Sequence, residues 1–425
     1  MSTAIVVGGG MAGVACAAEL AEHGVVVTLI DRHNYTQFQP LLYQVATSQL
    51  PAEDVARPLA TAFKERPAVT TVTAEISGVD PATRTVTTAG GTHGPADHLV
   101  LAAGSQPNFF GVPGAAEHSF PLYSVADARR LRRHLRDRLR DLCNPAGGAD
   151  PYTVIICGGG PTGVETAGAL AELFGALREQ GKLAGEATVR LVDHGQALLR
   201  PFTDKSHEYA LEKLTDKGVQ VTFGVAVSGV QADSATLSDG STVPTDTVIW
   251  AGGISGAPVV GASGLATGRG GRIDVDADLS VPGHPGVFAV GDVANVPDQH
   301  GRALPQLGSV AEQSGRWAAK NIVALTKGEQ ATPFHYHDKG IMAMIGRNAA
   351  VAEVGKHRHH LEGPLAFVAW LGLHAVLLSG MHSRVDAFLN WADDYFHHER
   401  AADLELEDSV GRIAWADDEA DRPTL

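Results

Sequence analysis

The chain has 425 residues and a formal net charge of −15, which argues against a general nucleic-acid binder. Apolar residues make up 44% and charged residues 19%, a globular balance with length for two or three domains and an ample core. Its three cysteines, Cys16, Cys143 and Cys157, form neither a CxxC pair nor a Cys/His metal spacing, so neither a disulfide framework nor a metal is expected. The chain opens directly on a strand, without a charged region or cleavage site, so no secretory signal is expected.

Thr3–Val7 (TAIVV) is short, apolar and β-branched, as a buried parallel strand should be. It runs into Gly8-Gly9-Gly10-Met11-Ala12-Gly13, and a helical stretch follows that ends at Gly24, a C-cap glycine. A second apolar strand, VVVTLI, ends at Asp31, 18 residues past Gly13, with Arg32 beside it. This is GxGxxG in a strand–helix–strand–acid frame. Gly8, Gly10 and Gly13 permit a tight turn and close approach to a pyrophosphate at the helix N-terminus, and Asp31 can accept from a ribose.

The Arg-rich stretch 127–142 (DARRLRRHLRDRLRDL) predicts a solvated helix laced with i,i+4 ion pairs. The dinucleotide frame then recurs. Tyr152–Cys157 (YTVIIC) is a strand, Gly158-Gly159-Gly160-Pro161-Thr162-Gly163 a second turn, and ATVRLVD a strand ending at Asp193, 30 residues past Gly163. Two frames imply two dinucleotides, one usually a bound flavin and the other a diffusible nicotinamide. The glycines alone do not say which is which. Further on, 365–380 (LAFVAWLGLHAVLLSG) is apolar but shorter than the ~20 residues that span a bilayer. Histidines cluster at 335/337, 357/359/360 and 397/398 without metal spacing, and His335 and His337 flank Tyr336 just before Lys339. Cys16 and Cys157 read as buried apolar fillers.

Other stretches carry a resemblance. GVFAV (286–290) running into Gly291-Asp292 and a helix resembles the second flavin-binding motif of two-dinucleotide flavoproteins, in which the Asp holds the ribityl chain. LVLAAGS (99–105) and VIWAGG (248–253) resemble the strands that return the chain between their domains. More specific are FQPLLYQVAT (38–47), GSQPNFFGVPG (104–114), GGGPTGVETAGALAEL (158–173), VFAVGDVA (287–294) and DKGIMAMIG (338–346). Together, from residue 1 to about 398, these resemble the type II NADH dehydrogenases: single-chain, FAD-dependent NADH:quinone oxidoreductases among the pyridine nucleotide-disulfide oxidoreductase-like flavoproteins.

The resemblance implies an α/β fold with two Rossmann-like domains. A discontinuous FAD domain (1–115 and 275–325) would hold an inserted NADH domain (116–274). A flavin-capping, membrane-contact region (326–400) and an acidic tail (401–425) would follow. Gly8, Gly10, Gly13, Asp31 and Arg32 would hold the adenosine end of FAD, and Gly104 and Asp292 its pyrophosphate and ribityl chain. Gly158, Gly160, Gly163 and Asp193 would bind NADH, with Asp193 repelling the 2′-phosphate of NADPH. Glu165 matches a family Glu near the nicotinamide. Lys339 matches a family Lys beside the flavin ring, where a cation stabilises developing negative charge. The family's AQxAxQ quinone motif reads GSVAEQ here (308–313): Gln313 is kept, but Ser309 replaces the first Gln with a hydroxyl too short to span the same distance.

Disulfide reductases of this architecture need a CxxxxC pair, and the chain has none. Electrons would therefore pass from NADH through FAD to a quinone, without proton pumping, in a homodimer peripheral on the cytoplasmic face of a membrane. The tail complicates that picture: its eight acids against Arg412 and Arg422 would be repelled by anionic lipid. Ser309 and the tail motivate an alternative, a soluble NAD(P)H-dependent flavoenzyme reducing another quinone-like acceptor. A third reading is a redox-sensing, NADH-binding flavoprotein resembling apoptosis-inducing factor.

Overall fold

A computed structural model describes residues 1–144, 151–355, 357–377 and Trp391. The acidic tail, His397, His398 and the end of the apolar stretch (378–380) lie outside the described residues.

The first unit holds β1 (Thr3–Val7), α1 (Met11–Glu22), β2 (Val26–Asp31), β3 (Val69–Thr73) and β4 (His98–Leu101). The second holds β5 (Ser119–Pro121), α2 (Val125–Leu142), β6 (Tyr152–Cys157), α3 (Pro161–Glu179), β7 (Ala187–Asp193), α4 (Asp204–Asp216), β8 (Gln220–Phe223) and β9 (Thr247–Trp250). Then come β10 (Val287–Ala289) and α5 (Gly308–Thr326), and last β11 (Gly340–Gly346), β12 (Ala349–Val354), β13 (His359–Glu362) and α6 (Gly363–Leu377).

Two five-stranded parallel sheets result, in the orders β10-β4-β1-β2-β3 and β5-β9-β6-β7-β8. The inner strands β1, β4, β6 and β9 are nearly continuous apolar runs because helices cover both faces, while the edge strands β3 and β8 are polar and more exposed. Each unit also carries a three-stranded antiparallel meander, at 76–93 and 227–244. The two units are thus a structural repeat. β10 is the exception to chain order: it leaves the second unit behind and pairs with β4 in the first sheet. β11, β12 and β13 form a separate antiparallel sheet on which α6 packs.

The Arg-rich stretch differs from its expectation. The helix α2 starts at Val125, two residues early, because Ser124 and Asp127 make a capping box. It buries Val125, Ala128, Leu131, Leu135, Leu139 and Leu142, so one whole face is core rather than solvated. Its ion pairs within the helix include Arg138–Asp141 and Arg140–Asp137 at i,i+3 and Arg136–Asp137 at i,i+1, and Arg138 also reaches Asp246 at 2.9 Å.

The apolar stretch near the C-terminus also resolves. α6 buries Gly363, Ala366, Trp370 and His374 on one face. Leu365, Val368, Leu373, Val376 and Leu377 lie exposed on the other, the first two at 75% and 65%. Among the described residues no helix is long and apolar enough to cross a membrane.

Candidate active site

Both glycine turns sit at the C-terminal ends of their parallel strands, where open α/β sheets bind ligands. They are built alike. Gly8 and Gly158 have φ +105° and +108°, and a Cβ on either would overlap the carbonyl of the neighbouring returning strand, Ala102 or Ala251. Gly13 and Gly163 let the helix close onto the strand, since a Cβ there would overlap the carbonyl of Gly8 or Gly158. Gly10 and Gly160 face open space, with nothing within 4 Å of a Cβ. An open face at the third glycine, at the mouth of a helix N-terminus, is the cradle that a pyrophosphate requires. Both turns fit a dinucleotide.

The two acids do more than the motif implies. Asp31 Oδ2 accepts from Gly9 N (2.5 Å) and its Oδ1 from His33 N (2.7 Å). Asp193 repeats this with Gly159 N (2.5 Å) and Gly195 N (2.6 Å). Each carboxylate braces its own turn and keeps its remaining lone pairs for a ribose. Arg32 is exposed.

Asp292 lies on the short turn after β10. Its Oδ2 accepts from Ser105 Oγ (3.2 Å), whose one proton is thereby used, and Ser105 Oγ accepts in turn from Tyr123 OH (2.7 Å), beside Gly104. The Oδ1 of Asp292 has no hydrogen-bond partner among the described residues. Burial pushes this carboxyl up from its ordinary value, with Ser105 and Arg272 opposing. A half-buried carboxylate with an unused, accessible oxygen suits a polyol chain such as ribityl. Sequence reasoning did not reach Tyr123, which bears no motif of its own. Ser105 lies within GSQPNFFGVPG (104–114), where no spacing rule singles it out.

Glu165 is buried on α3 and accepts from Met344 N (3.1 Å), which joins the second unit to the C-terminal sheet. Burial, only partly offset by that N–H, raises its pKa to about 8. Such a carboxyl exchanges a proton near neutral pH. Lys339 precedes β11 with its side chain exposed. No hydrogen bond among the described residues joins Lys339 to Glu165.

α5 meets the first turn closely: Gly308 lies against Met11 Sδ, and Ser314 Oγ accepts from Gly291 N. Gln313 is tied twice to one residue, donating to His337 O (3.1 Å) and accepting from His337 N (2.9 Å). Ser309, one turn earlier, hydrogen-bonds Tyr336 OH at 2.8 Å. His335 and His337 are exposed while Tyr336 between them is half-buried.

Cys16 and Cys157 are buried free thiols, both pushed up to about 12 by burial, and Cys143 is free as well. A disulfide-exchange step has no sulfur pair to work with. Among the described residues no cluster of three metal-ligating side chains occurs.

The family model for pyridine nucleotide-disulphide oxidoreductases matches residues 2–315. The type II NADH:quinone oxidoreductase NdhA of Mycobacterium tuberculosis is 33% identical over 420 residues, covering 93% of this chain and 87% of the relative. The chain belongs to the type II NADH:quinone oxidoreductase family. A member from Staphylococcus aureus is 28% identical, covering 82% of this chain and 89% of its own length. Among solved structures, NDH2 from Plasmodium falciparum in complex with NADH superposes with TM-score 0.85 at 17% identity, covering 93% and 98% of the two chains. The sulfide:quinone oxidoreductase of Aquifex aeolicus reaches 0.71 at 19% identity, covering 93% and 96%. The mixed α/β architecture with parallel sheets is therefore a family property rather than a peculiarity of this chain.

Proposed function

We propose that this protein catalyses NADH + H⁺ + quinone → NAD⁺ + quinol, with FAD as resident cofactor and without proton pumping. The observation that carries it is the pair of matching turns, each open at its third glycine, in a chain with no cysteine pair to take the electrons. FAD is held by residues 1–115 and 275–325, through Gly8, Gly10, Gly13, Asp31, Arg32, Gly104 and Asp292. The pairing of β10 with β4 supports that division. NADH is held by 116–274, through Gly158, Gly160, Gly163 and Asp193, and residues 326–400 cap the flavin.

When bound, FAD accepts two electrons as hydride from the nicotinamide and releases them to an acceptor. The chain's part is binding, orientation and charge. The two turns fix the dinucleotides, and the neutral Glu165 stores a proton at its carboxyl in a dry site. Lys339 supplies a cation where negative charge gathers, and Gln313 holds the 337 segment in place.

The protein docks on the membrane surface that meets the NADH pool. Support comes from α6, whose exposed row Leu365, Val368, Ala369, Gly372, Leu373, Val376 and Leu377 carries no charge. Its 15 residues are about 22 Å long, short of the ~30 Å hydrocarbon core, so it lies on rather than through the bilayer. A homodimer interface is the competing use of this face. Light scattering in detergent-free buffer distinguishes the two.

Anaerobic stopped-flow tests the activity. NADH should bleach the yellow holoprotein, and a short-chain ubiquinone or menaquinone analogue should restore the colour within one turnover time. Fast bleaching with sluggish return would transfer the acceptor role to another molecule.

A further inference from the structure

Ser309 and Tyr336 are 27 residues apart in sequence, yet their hydroxyls meet at 2.8 Å. They meet where the first turn of α5 leaves the dinucleotide turn. Gly308 packs on Met11, Ala311 lies beside Gly291, and Gln306 Nε2 donates to Asp292 O (3.1 Å). This corner is therefore the rim of the first unit's cofactor cradle, on the side from which the chain runs toward Lys339.

The donor count is informative. Two hydroxyls carry two protons and share one hydrogen bond; with Ser309 Oγ donating to the phenol oxygen, the Tyr336 O–H is the one left to offer. Gln313 is similar. Its Oε1 and one N–H are used on the His337 backbone, and one N–H remains. The corner thus presents two protonated donors, the Tyr336 O–H and the second Gln313 N–H, whose anchors Ser309 and Gln313 lie one helical turn apart on α5. A quinone is a flat ring that is apolar except for two acceptor-only carbonyl oxygens, which is the complement of that pattern.

We infer that Tyr336, held by Ser309, is the hydrogen-bond donor to one carbonyl oxygen of the quinone, taking the place of a longer side chain at position 309. The inference rests on the quinone-reductase reading above. Reach is the first support: the phenol extends the donor beyond the short Ser309 side chain. Preorganisation is the second. The segment around Tyr336 is fixed by Gln313, by the Asp338–Arg358 ion pair (3.2 Å) and by Gly340 N donating to Asp338 Oδ1 (2.8 Å). Protonation is the third. Burial and the nearby Asp338 carboxylate push the phenol above its ordinary value, against Ser309, so it stays a donor through the neutral range.

The test uses FAD-loaded protein and a short-chain ubiquinone. Binding to the oxidised protein, which undergoes no reaction, is followed by tryptophan fluorescence quenching. Reoxidation of the NADH-reduced protein is followed by stopped-flow. Tyr336→Phe keeps the ring and removes the hydroxyl. It should weaken quinone binding about tenfold and slow reoxidation in proportion, the scale of one lost hydrogen bond in a dry site. Ser309→Ala should weaken binding less, because the phenol remains and only its anchor is lost. Ser309→Gln in the Tyr336→Phe background should recover most of the affinity. Unchanged binding and reoxidation in Tyr336→Phe would overturn the assignment. A fall in the rate of NADH reduction matching the fall in reoxidation would also overturn it, since that marks a structural defect. If the unaltered protein neither binds nor is reoxidised by the quinone, the quinone reading itself fails, and that result needs no variant to be seen.

Discussion

At the scale of single residues, the glycines of one motif do different jobs. Gly160→Ala should fold normally, because its φ of −72° suits alanine and a Cβ meets nothing within 4 Å. That methyl would occupy the pyrophosphate cradle, so NADH affinity should fall by at least tenfold in calorimetry while FAD content is unchanged. Gly163→Ala, whose Cβ would overlap the Gly158 carbonyl, should instead lower the unfolding midpoint of the protein. Asp193→Asn keeps one acceptor oxygen for two N–H groups, so KM for NADH should rise roughly 10- to 100-fold, the scale of one charged hydrogen bond. Glu165 makes a pH prediction. Its folded pKa of about 8 exceeds the ordinary 4.5, so the folded protein binds the extra proton between those values and stability falls as pH rises through that window. Glu165→Gln should flatten that decline, and melting curves from pH 5 to 9 would show it. Parallel curves for the two proteins would mean Glu165 is not the buried acid described. The two GxGxxG turns and the acid ending each following strand were legible in the sequence because the strand–turn–helix–strand frame is a local pattern. The bracing of each turn by its acid was not, because it needs the Asp and the second glycine, 22 and 34 residues apart, brought to 2.5 Å.

At the scale of elements, period distinguishes what sequence shows well from what it shows poorly. β1 and β6 begin and end where their apolar runs do, because a buried parallel strand has no polar face, whereas β7 sets half-buried Thr188 and Arg190 between its apolar positions. The Arg-rich helix was harder. Its leucines at 131, 135 and 139 mark a buried row, but seven arginines in the stretch dominate the eye. The apolar helix α6 was ambiguous for a physical reason: a segment apolar all round has no period to show which face is buried. Only packing separates Trp370, stacked on His374 at 3.9 Å, from Leu365 and Val368 on the open side. A double change, Leu365→Glu with Val368→Glu, should leave NADH reduction intact and abolish co-flotation with lipid vesicles. Undiminished flotation would remove α6 as the docking surface.

At the scale of the whole molecule, the C-terminal sheet is fastened to the second unit by three glutamates. Glu165 receives Met344 N; Glu172 receives Arg347 N (2.5 Å) and Lys217 Nζ (2.8 Å). Glu353, on β12, receives Thr203 N, Thr203 Oγ1 and Ser206 Oγ at 2.7–2.8 Å, so it caps the start of α4 from another sheet. Burial raises the Glu353 pKa, but these hydrogen bonds together outweigh it and hold the carboxyl below its ordinary value. Its stabilisation is therefore present above about pH 4.5 and lost as pH falls through the depressed value. Glu353→Ala should lower stability by about 2–3 kcal/mol at pH 7, and the gap from the unaltered protein should close in acid. The sequence contained a hint: one acid in the otherwise apolar strand AAVAEV is buried only if something receives it.

The sequence alone settled the composition of the machine. Two strand–turn–helix frames, two acids, a late Gly-Asp and the lack of a cysteine pair are local patterns, and local patterns survive without coordinates. The partnerships were settled by the fold. β10 joining β4, Glu353 capping a helix of another unit, and Ser309 meeting Tyr336 each join residues far apart in the chain. No spacing rule reaches that far, because which distant surfaces meet depends on how every intervening element packs.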